Sequence, residues 1–290
     1  MKNKVFFFVN WEKEKSSVPG ITFTPNGSSI SGQPSSTTVT DLRRVSDFVK
    51  QRYGYDLGAY ENFPNFEESN RKFLAKIDWV INSRHKLTAK YTDYKGFSGS
   101  PLNGSSVPQN GRIFVTGQAN GVTRLPSNRF SANSMAFNSS NYGTDRLVKS
   151  ATLELNSRFN NRLSNQFLAT LTKSSDIRVP MGGGAVFPTV DIFNGAGQNF
   201  ISLGTDPFSN NNQLINDIFS ITDNITYYMN RHKLTGGFSV EKQKIGNMFM
   251  GGSQGHYVFN SLDDFLQEKA PAYYGYTYSL VPGQSAVFSA

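Results

Sequence analysis

The stretch Gly251-Gly252-Ser253-Gln254-Gly255 has the G-x-S-x-G spacing of a hydrolase nucleophile elbow. That chemistry needs an acid and then a histidine later in the chain. His256 is the last histidine and precedes Asp263, so the order cannot be met. His85 and His232 occupy equivalent turns, without carboxylates at ligand spacing, and read as solvated turn residues. With 3 histidines and no cysteine, thiolate metal sites, disulfides and cysteine nucleophiles are excluded together. Gly182-Gly183-Gly184 lacks the strand and helix that a phosphate loop requires, and no Walker or dinucleotide fingerprint occurs. The expectation is a protein that is not an enzyme and carries no cofactor or metal.

The remaining chemistry is charge. Lys plus Arg number 29 against 21 Asp plus Glu, a net of +8, yet only 17% of residues are charged, so the chain should fold. The bases are spread rather than clustered, which argues against nucleic acid as partner. Lys72, Lys76, Lys86 and Lys90 fall on the polar side of one hairpin. They would bias an enclosed lumen toward anions, or form a solvated face in a soluble sheet.

The elements that carry these residues read as strands. Aromatic content is 13%, a profile that favours strands. Phe73, Ala75, Ile77, Trp79 and Ile81 alternate with polar neighbours, and Leu87, Ala89 and Tyr91 return after Asn82-Ser83-Arg84. A second hairpin runs from Leu147 to Lys173 around Asn160-Asn161-Arg162, and a third from Leu214 to Ile245 around Asn230-Arg231. Arg84-His85-Lys86-Leu87-Thr88 and Arg231-His232-Lys233-Leu234-Thr235 form a weak internal repeat. An edge strand, Lys4 to Glu14, and an aromatic stretch, Tyr273 to Leu280, bring the count to about eight. In the third hairpin Asp223 shares phase with Ile221 and Ile225, which requires either a bulge or another face assignment.

Connectors alternate between a few residues and several tens. The long ones, about 15 to 69, 96 to 144, 174 to 212 and 248 to 271, are rich in Ser, Asn, Gly and Pro and would all leave one end of the sheet. Two hold a helix expected as a packing cap: Asp41 to Tyr53, ending at Gly54, and Phe265 to Lys269, opened by Ser261-Leu262-Asp263-Asp264. Short turns on one side and long loops on the other are the pattern of outer-membrane barrels. No apolar run reaches about 18 residues, so a membrane reading must be a barrel. Trp79, Tyr91, Tyr227 and Phe159 lie near strand ends, where interfacial aromatics are wanted. Val5 to Val9 is too short for a signal peptide and reads as a strand, so Met1 is expected to be an internal start or a truncation point.

The words Lys2 to Glu12 (KNKVFFFVNWE), Asn70 to Tyr91 (NRKFLAKIDWVINSRHKLTAKY), Ser209 to Glu241 and Tyr257 to Leu280 closely resemble the barrel of Oar-like TonB-dependent receptors, in order and over nearly the whole chain. The resemblance implies an outer-membrane barrel of about 22 strands around a plug, with substrate moved by energy passed from TonB. It also implies that residues 1–290 are a partial barrel domain, with no plug, TonB box, signal peptide, carboxypeptidase-like N-terminal domain or closing strands. The expected fold is all-β, an antiparallel meander of about eight strands cut from that barrel, with short helices in long loops. Spanning strands and extracellular loops would serve ligand uptake or export. Expected partners are outer-membrane lipid, an unidentified ligand, and the TonB-ExbB-ExbD system through the plug of the full-length protein. Phe73, Ile77, Trp79, Leu87, Ala89, Leu153, Phe167 and Phe238 are expected to face lipid, and Lys76, Lys90, Thr152, Glu154, Thr170 and Thr235 the lumen. The alternatives are a small autonomous eight-stranded outer-membrane barrel and a soluble basic β-sheet module binding polyanions.

Overall fold

The structure is a computed structural model and describes residues 4–108, 123–181 and 185–288. The triglycine at 182–184 and the first three residues lie outside that description. Seven long strands form one antiparallel meander: β1 (Val5–Val18), β4 (Phe66–Val80), β5 (His85–Ser100), β7 (Tyr142–Arg158), β8 (Leu163–Pro180), β11 (Asn212–Met229) and β12 (His232–Phe249). Short strands numbered with them in chain order are β2 (Phe23–Asn26), β3 (Gln33–Thr38), β6 (Met135–Ala136), β9 (Thr189–Phe193), β10 (Asn199–Leu203), β13 (His256–Phe259) and β14 (Tyr273–Gly275). The meander is open, with β1 and β12 at its edges.

The tight turns are set by asparagine. Asn82 Oδ1 accepts from the backbone N–H of Arg84 and His85, Asn160 Oδ1 accepts from that of Arg162, and Asn230 adopts φ 40°. An Asn side chain mimics a turn carbonyl and tolerates the left-handed region better than most residues, which closes each hairpin locally.

With the turns fixed, register follows, and each hairpin pairs without a shift. Side chains directly across from one another share a face. One row reads Trp79, Leu87, Leu155, Phe167, Asp223 and Phe238 across six strands, and the next Ile77, Ala89, Leu153, Ala169, Ile221 and Val240. The opposite face carries the row Lys76, Lys90, Thr152, Thr170 and Ser220. All eight residues of the first predicted set thus share one face, and Lys76, Lys90, Thr152, Glu154, Thr170 and Thr235 share the other. The alternative of a bulge at Asp223 is excluded, because β11 runs in continuous register with both neighbours. Asp223 stays on the apolar face, where Asn165 Nδ2 donates to its carboxylate at 2.7 Å.

The apolar side chains form an oblique band. Toward the long loops its last member is Trp11 on β1 and Phe73 on β4. One row lower come Tyr91, Ala151, Leu171 and Phe219, and Val240 on β12 is a further row down. The other border descends likewise, from Val5 and Trp79 to Tyr227 and Leu234. A drop of two rows over six strand spacings is a tilt of roughly 25°, comparable to though below the ~35–45° of membrane barrels. On β11 the band runs from Phe219 to Tyr227, roughly 24 Å measured across it, close to the ~25 Å apolar belt of such barrels. Ile77 is 50% exposed, Phe238 57% and Val240 61%. No second layer of described residues packs over this face, and none of its members belongs to a buried cluster.

Three expectations are corrected. The meander has seven strands, because only Tyr273–Gly275 of the stretch to Leu280 is extended in a ladder, and it pairs with β13. Pro271 and Pro282 flank that stretch and restrict its pairing. Tyr91 lies in mid-strand, because β5 continues to Ser100; it marks the border of the band and not the end of the strand. The long loops are not merely loops with helices. They supply a second, five-stranded sheet in the order β14-β13-β9-β10-β6, in which β13 runs parallel to β9 and β10 to β6, while β2 and β3 pair in parallel beside it.

This small sheet and two helices make a cap with its own interior. The first helix, α1 (Val39–Tyr53), starts at Thr38, whose Oγ1 accepts from the Asp41 N–H, and stops at Gly54, whose φ of 67° suits a residue without Cβ. The second, α2 (Leu262–Leu266), begins earlier than expected, capped by Ser261. Leu42 and Val45 of α1 pack in one core with Met135, Phe137, Ile192, Ile201, Phe259 and Phe265, so all four long connections contribute. Leu42→Ala should cost about 2–5 kcal/mol of cap stability, through lost burial and the cavity left behind. Hydrogen exchange at β9 and β10 should accelerate, while the β7–β8 ladder keeps its protection.

Candidate functional site

The polar face of the meander forms shallow hollows. Near the short turns one of about 740 Å³ is lined by Arg84, Lys86, Asn156, Gln166, Asn224 and Thr235, among others. Beside it Lys76, Lys86, Thr88, Lys90, Thr152, Glu154 and Asn156 line another, of about 490 Å³. Thus Lys76, Lys90, Thr152 and Glu154, from three adjacent strands, converge, and Thr235 lies in the neighbouring hollow. Thr170 continues the Lys76–Lys90–Thr152 row without lining either hollow.

The charges there are unevenly matched. Asp78 takes Lys76 at 3.0 Å, Lys86 at 3.2 Å and the Thr88 hydroxyl at 2.6 Å. Glu154 accepts from Gln166 at 2.7 Å and Asn156 at 2.9 Å. Lys90 stands directly across from Lys76, and among the described residues no ion pair reaches it. Like charges opposed across a ladder are unfavourable unless an anion or solvent intervenes, so this wall presents a net cationic surface to whatever it faces.

On the other face a furrow of about 450 Å³ is lined chiefly by Ala75, Ile77, Ala89, Leu153, Ala169 and Phe219. Alanines on four neighbouring strands leave room between the larger side chains, a shape that suits a flexible hydrocarbon chain. It has no convergent polar groups for a soluble ligand.

The cap holds a polar cluster that no local motif announces. Arg129 donates through Nε and Nη2 to the two carboxylate oxygens of Asp191, both at 2.8 Å. Its Nη1 reaches the carbonyls of Asn103 and Ser106. Ser202 Oγ donates to Asp191 at 2.6 Å, and His256 Nε2 lies 2.8 Å from Asp191 Oδ2. All four side chains are buried, joining three long connections. Burial by itself would raise the Asp191 carboxyl, but the Arg129 charge and the bonds from His256 and Arg129 outweigh it and hold the group well below the usual carboxylate range.

The cluster resembles a catalytic dyad only in composition. Among the described residues no hydrogen-bond partner reaches His256 Nδ1, and the hydroxyl of Ser253 instead accepts from Asn210 and Asn211. Gly252 and Gly255 take positive φ in a turn, so the G-x-S-x-G stretch is a turn of the cap. Among the described residues no three His, Asp or Glu side chains could hold a metal ion. His85, half-buried, lies 2.9 Å from Ser157 Oγ through Nδ1, and His232 is exposed next to its turn.

Comparison with known proteins agrees with this geometry. No curated protein matches the sequence. Among solved structures, the outer membrane transporter YddB from Escherichia coli matches with a TM-score of 0.51 over 94% of this chain at 6% identity, a likeness of fold. The chain spans 27% of the length of that transporter. The outer membrane beta barrel domain family matches residues 49–285, which take in six of the seven long strands and most of the cap. An uncovered, oblique apolar band, tight turns at one end and folded connections at the other are thus those of a protein of the outer membrane, and the chain belongs to the outer membrane beta barrel domain family.

Proposed function

We propose that the meander is a section of wall in a TonB-dependent, Oar-like transporter barrel of about 22 strands, with the apolar band against lipid and the Lys76–Lys90 face toward the lumen. The observation that carries this reading is the band itself, continuous across seven strands, inclined to them and left uncovered by the rest of the described chain. Two open edges support it, since a sheet with unpaired edges in hydrocarbon must be completed by further strands. In this reading the cap stands outside the membrane and meets the ligand, which is then moved with energy that TonB-ExbB-ExbD deliver to a plug in the full-length protein. The role is transport rather than catalysis, and nucleic acid is not a partner.

Nitroxide labels in the full-length receptor in bilayers test it. Labels at Phe73, Ile77, Trp79, Leu87, Ala89, Leu153, Phe167 and Phe238 should be relaxed by oxygen dissolved in lipid. Labels at Lys76, Lys90, Thr152, Glu154, Thr170 and Thr235 should respond to a water-soluble nickel chelate. The reverse pattern would sink the assignment of faces.

A further inference from the structure

Where the apolar band ends toward the cap, the outward face turns cationic. The first outward residues beyond it include Lys13 on β1, Arg71 on β4, Lys149 on β7, Lys173 on β8 and Lys242 on β12, with Lys95 one row above Asp93 on β5. Carboxylates only partly balance them. Asp93 pairs with Arg71 at 3.4 Å and Lys149 at 3.8 Å, and Asp217 with Lys173 at 3.8 Å. The excess is densest at one place, where Lys13, Arg71 and Lys95 are direct register partners on three adjacent strands. All three are exposed, and among the described residues no ion pair reaches Lys13 or Lys95. They share a depression of about 330 Å³ with Trp11, Ser69 and Phe97. Trp11 is the top of the apolar band, and Glu67, two rows further out than Arg71, is occupied by Lys15 at 3.0 Å.

Three cations aligned across a ladder repel one another, a cost that an anion seated between them relieves and that the single Arg71–Asp93 pair leaves largely in place. The position names the anion's source. A phosphate seated there would have its acyl chains directly below, along Trp11, Val9, Phe73 and Ile77, whereas a soluble anion gains nothing from that surface. We infer that Lys13, Arg71 and Lys95, with Trp11 beneath them, form a binding site for the phosphate-bearing headgroup of a membrane lipid on the outer wall of the sheet. The inference rests on the transmembrane reading above.

The two tryptophans of the chain, Trp11 and Trp79, allow the test to be local. The full-length receptor, with Trp11 kept as its single tryptophan, is reconstituted in phosphatidylcholine vesicles, and Trp11 fluorescence is quenched with brominated phosphatidic acid or brominated phosphatidylcholine. Phosphatidic acid should be preferred at Trp11, and Lys13→Gln with Lys95→Gln should cut that preference about 25-fold, at about five-fold per cation removed. In the reciprocal protein, which keeps Trp79 in place of Trp11, Trp79 at the opposite border should show no headgroup preference. Equal quenching by both lipids, or a preference unchanged by the two substitutions, overturns the site. Displacement of the lipid by millimolar inorganic phosphate overturns its lipid source. If brominated phosphatidylcholine quenches neither tryptophan, the membrane reading has failed instead.

Discussion

Leu153→Arg should cost about 2–4 kcal/mol of folding stability in a bilayer, the penalty for a cation near the hydrocarbon midplane of a barrel. Leu153 lies in a middle row of the band, where its direct partners are Ala89 and Ala169 and offer no counter-charge. The control is Thr170→Arg, next in the chain to Ala169, the direct partner of Leu153, but on the opposite face, which should change stability by less than about 0.5 kcal/mol. Urea titration of the protein in vesicles, read as loss of the compact, heat-modifiable band on gels, measures both. Equal tolerance at Leu153 and Thr170 would mean that the exposed band does not meet lipid.

Arg129→Leu should cost about 3–5 kcal/mol, because it strands the Asp191 carboxylate in a site with no access to water and leaves only Ser202 and His256 to hold it. The loss should be confined to the cap: β9, β10 and β13 lose exchange protection, while the hairpins of the meander keep theirs. Adding Asp191→Leu should restore part of the loss, since removing both charges is less harmful than removing one. The same carboxylate sets an acid limit. Its folded pKa is depressed, so its contribution is complete above the ordinary carboxylate range of about 4 and is withdrawn as pH falls through that range toward the folded value. Cap protection in the native protein should therefore fall on acidification below about pH 4, and the doubly substituted protein should lack that component.

The three hairpins were legible because their information is local. Period-two alternation and an Asn-containing turn sit within about thirty residues of each other, and the register then follows from the turn. Strand length was less so. β4 begins at Phe66 and not Phe73, because Glu67, Glu68, Ser69 and Asn70 alternate nothing apolar, and their pairing is carried by the backbone ladder to β1 and β5. The cap was legible only in its helices, whose caps are local. Its sheet joins strands of two to five residues from separate connections, partly in parallel, and such segments are too short to show a period. Arg129 and Asp191 meet across 62 residues, Asp191 and His256 across 65, so nothing near any of them announces the cluster. Of the polar face, alternation puts Lys76 and Lys90 on one side of one hairpin, and the register sets them directly across from each other. That Lys13, Arg71 and Lys95 form one line became visible only when β1 was laid against β4.

Four connections that share one interior cannot behave as four independent flaps. Leu42, Met135, Ile192 and Phe259 each come from a different connection and touch the same core, so order gained or lost in one is transmitted to the rest. Mechanically the lid is a single slab hung from the rim at several points. Tension applied to any one of its hinges is borne by all of them, and it yields in one step rather than leaf by leaf.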